Sequence, residues 1–107
     1  MSTKQTGELI PALARALELG ASVRGTTSPN PPVGAVILDT FGRIVGEGAT
    51  QPVGGAHAEV IALREAGAQA AGGTAVVTLE PCNHTGKTGP CTKELIDAQI
   101  ARVVFIH

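Results

Sequence analysis

The chain has 107 residues, 43% of them apolar and 16% charged, the composition of one globular domain rather than of a disordered segment. Eight basic residues against nine acidic ones leave a net charge of −1 with no basic run, and Phe41 and Phe105 are its only aromatics. A phosphate-backbone binder needs a basic patch and a single-strand binder needs stacking rings, so no nucleic-acid partner is expected.

The N-terminal Met1-Ser-Thr-Lys-Gln-Thr6 is polar, and the apolar stretch after it is broken by Glu8, Pro11 and Arg15. That is neither a secretory signal nor a membrane span, so no membrane association is expected and the expected compartment is the cytoplasm. Leu9, Leu13 and Leu17, with Ile10 and Ala14 beside them, predict an amphipathic helix over 7–23. Pro11 would sit in its first turn, and Gly20 or Gly25 would stop it. Residues 26–34 hold three prolines in Thr-Thr-Ser-Pro-Asn-Pro-Pro-Val-Gly and must be loop, because residues before proline are pushed out of the helical region.

Ala35-Val-Ile-Leu38 and Arg43-Ile-Val-Gly46, joined by Asp39-Thr-Phe-Gly42, predict an antiparallel hairpin with a turn of about four residues. A glycine-rich connection over 46–55 leads into a helix from His57 to Ala66, with Gly67 as its stop. A strand over Thr74–Leu79, a loop over Glu80–Gly89, a helix from Pro90 to about Ala98 and a buried strand over Ala101–Ile106 complete the chain, with Phe105 in the core. The strand–helix–strand order favours parallel pairing, giving an α/β fold with a mixed sheet covered by helices on both faces. No repeat, low-complexity tract or linker divides residues 1–107, which read as a single domain. The stop at His107, directly after a strand, reads as an abrupt end or as the edge of a longer protein.

The chain has two cysteines and three histidines. In a reducing compartment Cys82 and Cys91 are better read as metal ligands or catalytic groups than as a disulfide. His57 with the two thiolates is a zinc set that leaves a fourth tetrahedral position for water. His57 and Cys91 both sit at predicted helix N-termini, where the dipole favours anions, and Cys82 follows a strand end. Glu59, two residues from His57, is off the metal yet near that position, as a proton shuttle requires. His-x-Glu and Pro-Cys are each weak signals alone. Together, with a second cysteine opening the next helix, they match the pattern of hydrolytic zinc deaminases, His-x-Glu followed by Pro-Cys-x-x-Cys.

One departure is informative. Eight residues, Asn83-His-Thr-Gly-Lys-Thr-Gly-Pro90, separate the cysteines where two are usual. They carry a cation, Lys87, and a donor, His84, with Gly86 and Gly89 to let the backbone turn, which suits an anionic small molecule such as a phosphate. Plainer readings stand beside this one. The thiols could be inert or paired, His84 could close the site as a fourth, structural ligand, and Lys87 could be a solvated charge.

The segments Ser28–Gly34, Gly55-Ala-His-Ala-Glu59, Thr78–Cys91 and Ala101-Arg-Val-Val104 closely resemble the deaminase domain of bifunctional riboflavin-biosynthesis deaminase/reductases, from about residue 9 to the end. The resemblance implies a three-layer α/β/α cytidine-deaminase-like fold. It also implies zinc-dependent hydrolysis of a phosphorylated pyrimidine, 2,5-diamino-6-ribosylamino-4(3H)-pyrimidinone 5′-phosphate, to the 5-amino-uracil ribotide and ammonia. By matching position His57, Cys82 and Cys91 would hold zinc and Glu59 would be the acid/base residue. Asn30 would hold the substrate near the ribose or base, with His84 and Lys87 on the base and ribose-phosphate side.

Two features depart from the family. Ala49-Thr50 stands seven residues before His57 where the family has a substrate-contacting histidine, so Thr50 is kept as a candidate contact and the substrate identity stays open. The family also continues into a further strand and commonly an NADPH-using reductase, so this chain is expected to be a truncated deaminase domain that binds no nicotinamide. An edge left by a missing strand would invite association into a homo-oligomer, and a reductase on a separate chain is compatible with the sequence. A deaminase of another purine or pyrimidine nucleotide, and a non-catalytic zinc-stabilised remnant, are the competing functions.

Overall fold

Every residue of Gly34–Leu38 is buried, as its unalternating apolar run requires, and this strand lies inside a sheet rather than at its rim. The structure, a computed structural model, describes residues 2–23, 33–50, 57–78 and 92–106. In chain order these form α1 (Ser2–Ser22), β1 (Gly34–Leu38), β2 (Ile44–Ala49), α2 (Ala58–Ala66) running into a 3₁₀ turn (Gly67–Ala70), β3 (Thr74–Thr78), α3 (Thr92–Asp97) and β4 (Arg102–Ile106). The sheet order is β2-β1-β3-β4, with β1 antiparallel to both neighbours and β3 parallel to β4. The expected hairpin and the expected parallel pair are both present. No helix among the described residues is long and apolar enough to cross a membrane.

The core is split by the sheet. On one face Ala35, Ile37, Ala75 and Val77 pack with Ala58, Ala62 and Ala66 of α2 and Leu95 of α3. On the other, Val36, Leu38 and Val76 pack with Ala12 and Ala16 of α1. This is the three-layer α/β/α arrangement expected from the sequence.

Both main helices approach the sheet closely enough to exclude side chains from the contact. A Cβ on Gly46 would collide with the carbonyl oxygen of Ala62, and one on Gly48 with that of Ala58. The strand read to end at Gly46 therefore continues through Ala49, and residues 47–49 are not the start of the glycine-rich connection read from the sequence. Glycine stands there because a helix backbone lies against it. On the opposite face a Cβ on Gly34 would collide with the Ala16 carbonyl. The buried ridge of α1 is accordingly Ala12, Ala16 and Gly20, while Leu17 is 52% exposed and Ile10 61% exposed. The leucine spacing located the helix but not its inward face. Gly20 lies within α1 rather than stopping it, and Pro11 lies in its interior because the helix begins at Ser2. Gly67, by contrast, ends α2 as expected, with φ +59°.

β4 is an outer strand, and Phe105 is 40% exposed rather than part of the core. An apolar run shows that a strand packs on something, not that it has neighbours on both sides. The opposite outer strand, β2, is tied down twice. The Arg15 guanidinium of α1 grips the Glu47 carboxylate through Nε (2.9 Å) and a terminal nitrogen (3.0 Å), and the Glu47 amide donates to Glu65 Oε1 (2.7 Å).

The hairpin turn is closed by Asp39. Its Oδ1 accepts from the Phe41 and Arg43 amides at 2.8 and 2.9 Å, and Oδ2 from Arg43 Nε at 3.0 Å, while the guanidinium lies over the Phe41 ring. Burial pushes the Asp39 carboxyl up, but these donors outweigh it and hold it below the ordinary carboxylate range. The folded value is thus below the unfolded one. The contribution is complete above the unfolded value of about 3.9 and is lost as pH falls through the folded value.

Gly46→Ala and Gly48→Ala should each destabilise the protein by about 1–3 kcal/mol through overpacking, well beyond the few tenths gained from a stiffer unfolded chain. Thermal unfolding should register this as a fall of about 4–8 °C per kcal/mol, and unchanged midpoints would refute the close contact. Asp39→Asn should lower the midpoint at neutral pH and flatten its decline below about pH 4, a difference that urea titrations at pH 3 and pH 7 would read.

Candidate functional site

The antiparallel pairings put the start of β1 and the ends of β2 and β3 at one end of the sheet, with Gly34 opposite Ala49 and Ala35 opposite Val77. The contact between Gly48 and Ala58 brings the first turn of α2 to the same end. Three segments outside the described residues join the described structure there. Segment 24–32 with Asn30 runs into β1, segment 51–56 leads from β2 to His57, and segment 79–91 leaves β3 and reaches α3 at Thr92. Asn30, Cys82, His84, Lys87 and Cys91 themselves lie outside the described residues.

His57 and Glu59 are described, and their environments differ sharply. His57 is the N-cap residue of α2, with extended backbone (φ −71°, ψ 156°), and its imidazole makes no capping bond. It is exposed. Glu59, one residue into the helix, is only 5% exposed. Carboxylates are rarely buried without a partner or a task, and this one sits where the helix dipole favours negative charge. A two-residue offset across the helix start thus separates an outward imidazole from an inward carboxylate. Expectation and structure agree that the helix opens at this histidine.

Two threonines complete this end. Thr50, just past β2, and Thr78, the last residue of β3, are both buried. The Val33 amide donates to Thr50 Oγ1 at 2.8 Å, while the Thr50 amide donates to the Val33 carbonyl at 2.9 Å. On the other side the Gly34 amide donates to Thr78 Oγ1 at 2.8 Å. Thr50 was singled out as a substrate contact; its hydroxyl oxygen accepts from main chain. Thr78 was read as part of a strand and as the start of the segment resembling the family, with no role of its own. Its sequence signal, a hydroxyl-bearing residue closing an apolar strand just before the Pro-Cys motif, is visible only once the pairing partner is known.

Among the described residues no three His, Cys, Asp or Glu side chains gather to hold a metal ion. A metal at His57 therefore needs ligands from elsewhere, and the chain's only cysteines, Cys82 and Cys91, are both in segment 79–91. An imidazole together with two thiolates suits zinc.

Comparison with known proteins places these features in a family. Residues 10–107 match the family described as the cytidine and deoxycytidylate deaminase zinc-binding region. The riboflavin biosynthesis protein RibD of Corynebacterium ammoniagenes is 67% identical over 96 residues, which are 90% of this chain and 28% of that protein. The diaminohydroxyphosphoribosylamino-pyrimidine deaminase of Buchnera aphidicola is 54% identical over 93 residues, 87% of this chain and 63% of that protein. Among solved structures, RibD of Acinetobacter baumannii superposes with a TM-score of 0.77 at 44% identity, over 94% of this chain and 28% of that one. The chain thus spans between a quarter and two-thirds of the length of these relatives. With the fold, the helix that opens at His57 and the family match in agreement, the chain belongs to the cytidine and deoxycytidylate deaminase family through its zinc-binding region.

Proposed function

We propose that residues 1–107 form a single zinc-dependent deaminase domain. Its reaction is the hydrolysis of 2,5-diamino-6-ribosylamino-4(3H)-pyrimidinone 5′-phosphate to the 5-amino-uracil ribotide and ammonia, an early step of riboflavin biosynthesis. The observation that carries this reading is the buried Glu59, the second residue of α2, two residues after the exposed His57. The names of its relatives, RibD and diaminohydroxyphosphoribosylamino-pyrimidine deaminase, support the choice of substrate.

His57, Cys82 and Cys91 would hold zinc. When bound, the metal supplies the Lewis acidity that makes a water nucleophilic at neutral pH. Glu59 would take one proton from the attacking water and pass it to the ring nitrogen beside the carbon under attack, then take the second from the resulting hydroxyl and pass it to the departing amine. Water enters, ammonia leaves, and the amine-bearing carbon becomes a carbonyl. A carboxylate screened from bulk solvent at a helix start keeps each proton from exchanging away while it is being carried. Asn30, His84 and Lys87 orient the ribotide, with Lys87 and His84 supplying positive charge and donors to its phosphate side. The setting is cytoplasmic, where both thiols stay reduced.

Glu59→Gln should cut ammonia release by about 10²–10⁴-fold, the share of a general acid/base, with zinc content unchanged by elemental analysis. A variant that turns over at nearly the normal rate would remove Glu59 from this role. Cys82→Ala should lose the metal and lower the melting temperature together, because the metal joins separate elements of the fold. Zinc retained at one per chain would exclude Cys82 as a ligand.

A further inference from the structure

Helix α1 has a second apolar face. Ala12, Ala16 and Gly20 are buried against the sheet, yet Ile10 is 61% exposed and Leu17 52% exposed, with Ala14 and Ala21 exposed beside them. These four recur at intervals of four, three and four residues. At about 3.6 residues per turn they form one stripe on the side of α1 turned away from the sheet. That is the spacing of a coiled-coil seam, in which apolar residues repeat about every 3.5 positions to meet a facing helix. Between Ile10 and Ser22 the chain has two charges, Arg15 and Glu18, and they bond each other at 3.1 Å. Arg15 is also turned aside to Glu47 of β2. The stripe therefore offers nothing that selects a charged partner, and no charge that repels an identical helix.

We propose that this face of α1 is a docking surface for a second copy of the chain, the two helices running antiparallel about a two-fold axis. With the axis between Arg15 and Ala16, Ile10 of one copy faces Ala21 of the other, and Leu17 faces Ala14. Each large side chain then meets a small one on both sides of the axis. A parallel pair in register would instead set Leu17 on Leu17 and leave Ala14 on Ala14. The seam runs about 16 Å along the helix. That covers well under the roughly 800 Å² per partner of a standard stable interface, so the pair is weak, with a dissociation constant on the order of 0.1 mM. α1 packs on the face of the sheet opposite α2. Pairing through α1 thus leaves the helix that carries His57 and Glu59 uncovered, and it holds whether or not the chain is a deaminase.

The test is sedimentation of the unaltered full chain from about 10 μM to about 1 mM. A reversible monomer–dimer equilibrium is expected, weakened about tenfold or more by Leu17→Ala, which takes apolar area from the seam twice in each dimer. Leu17→Glu and Ile10→Glu should each hold the chain monomeric, because each puts a charge into the seam with no opposite charge to meet it. Both positions are exposed, so the melting temperatures of these variants should stay within about 4 °C of the original. Ala14→Leu should also weaken the pair, since it sets leucine on leucine, and combining it with Leu17→Ala should restore association by exchanging the large and small partners. A chain that stays monomeric at the highest concentration would overturn the proposal. So would a dimer that survives Leu17→Glu and therefore uses another surface, such as the β4 edge, or a double variant that associates no better than Leu17→Ala alone. If a variant fails to fold, methyl NMR of the unaltered chain on dilution decides. Concentration-dependent shifts at Ile10 and Leu17 support the seam, and shifts confined to other residues remove it.

Discussion

Helix α2 lies on β2 with no side chain between the two backbones at Gly46 and Gly48, and the remaining architecture follows from how close that is. Ala58, Ala62 and Ala66 recur every fourth residue and form the only ridge small enough to meet those glycines. A larger residue on either partner would lift the helix away. Because Ala58 opens the helix, the same contact fixes the height and direction of the turn that carries His57 and Glu59. Precision at the site is thus a by-product of packing: an exposed imidazole and a buried carboxylate are held by an interface that contains neither.

The opposite face repeats the device with Ala12, Ala16 and Gly20 over Gly34. Gly34 is therefore fixed by α1 while its amide is held by Thr78, and Val33 beside it is held by Thr50. The start of β1 is thus held from both flanking strands and from α1. Polar bonds at the sheet end and apolar contact beneath it act on the same two residues, so each makes the other's geometry more sharply defined.

Local chemistry was legible in the sequence and tertiary choice was not. The hairpin turn, the start of α2 at His57 and its stop at Gly67 each depend on neighbouring residues, and each was read directly. The zinc-deaminase pattern was legible for the same reason, since motif spacing survives without coordinates. Gly48 was misread as connection because glycine serves both turns and close approach, and only the facing alanines distinguish the two uses. The leucine spacing marked α1 as amphipathic but could not show that the residues buried against the sheet are Ala12 and Ala16 with Leu13 and Leu19 at their sides, leaving Leu17 exposed. Phe105 was read as core because an apolar strand looks alike in the middle of a sheet and at its rim. Thr50 was noticed for what it replaces in the family, and its bond to Val33 depends on a pairing partner seventeen residues away.

β1 carries a polar cluster at each end: the threonines at Val33 and Gly34, and the Asp39 carboxylate with Arg43 where the hairpin turns. Between them lie four fully apolar positions, Ala35 to Leu38, with no titratable group, a span of about 13 Å at ordinary strand rise. Substitutions that far apart with no shared partner combine additively. The hairpin end is therefore a place where this domain can gain or lose stability by drift or by engineering without disturbing the geometry of its chemistry, and the two properties can be optimised on separate residues of one strand.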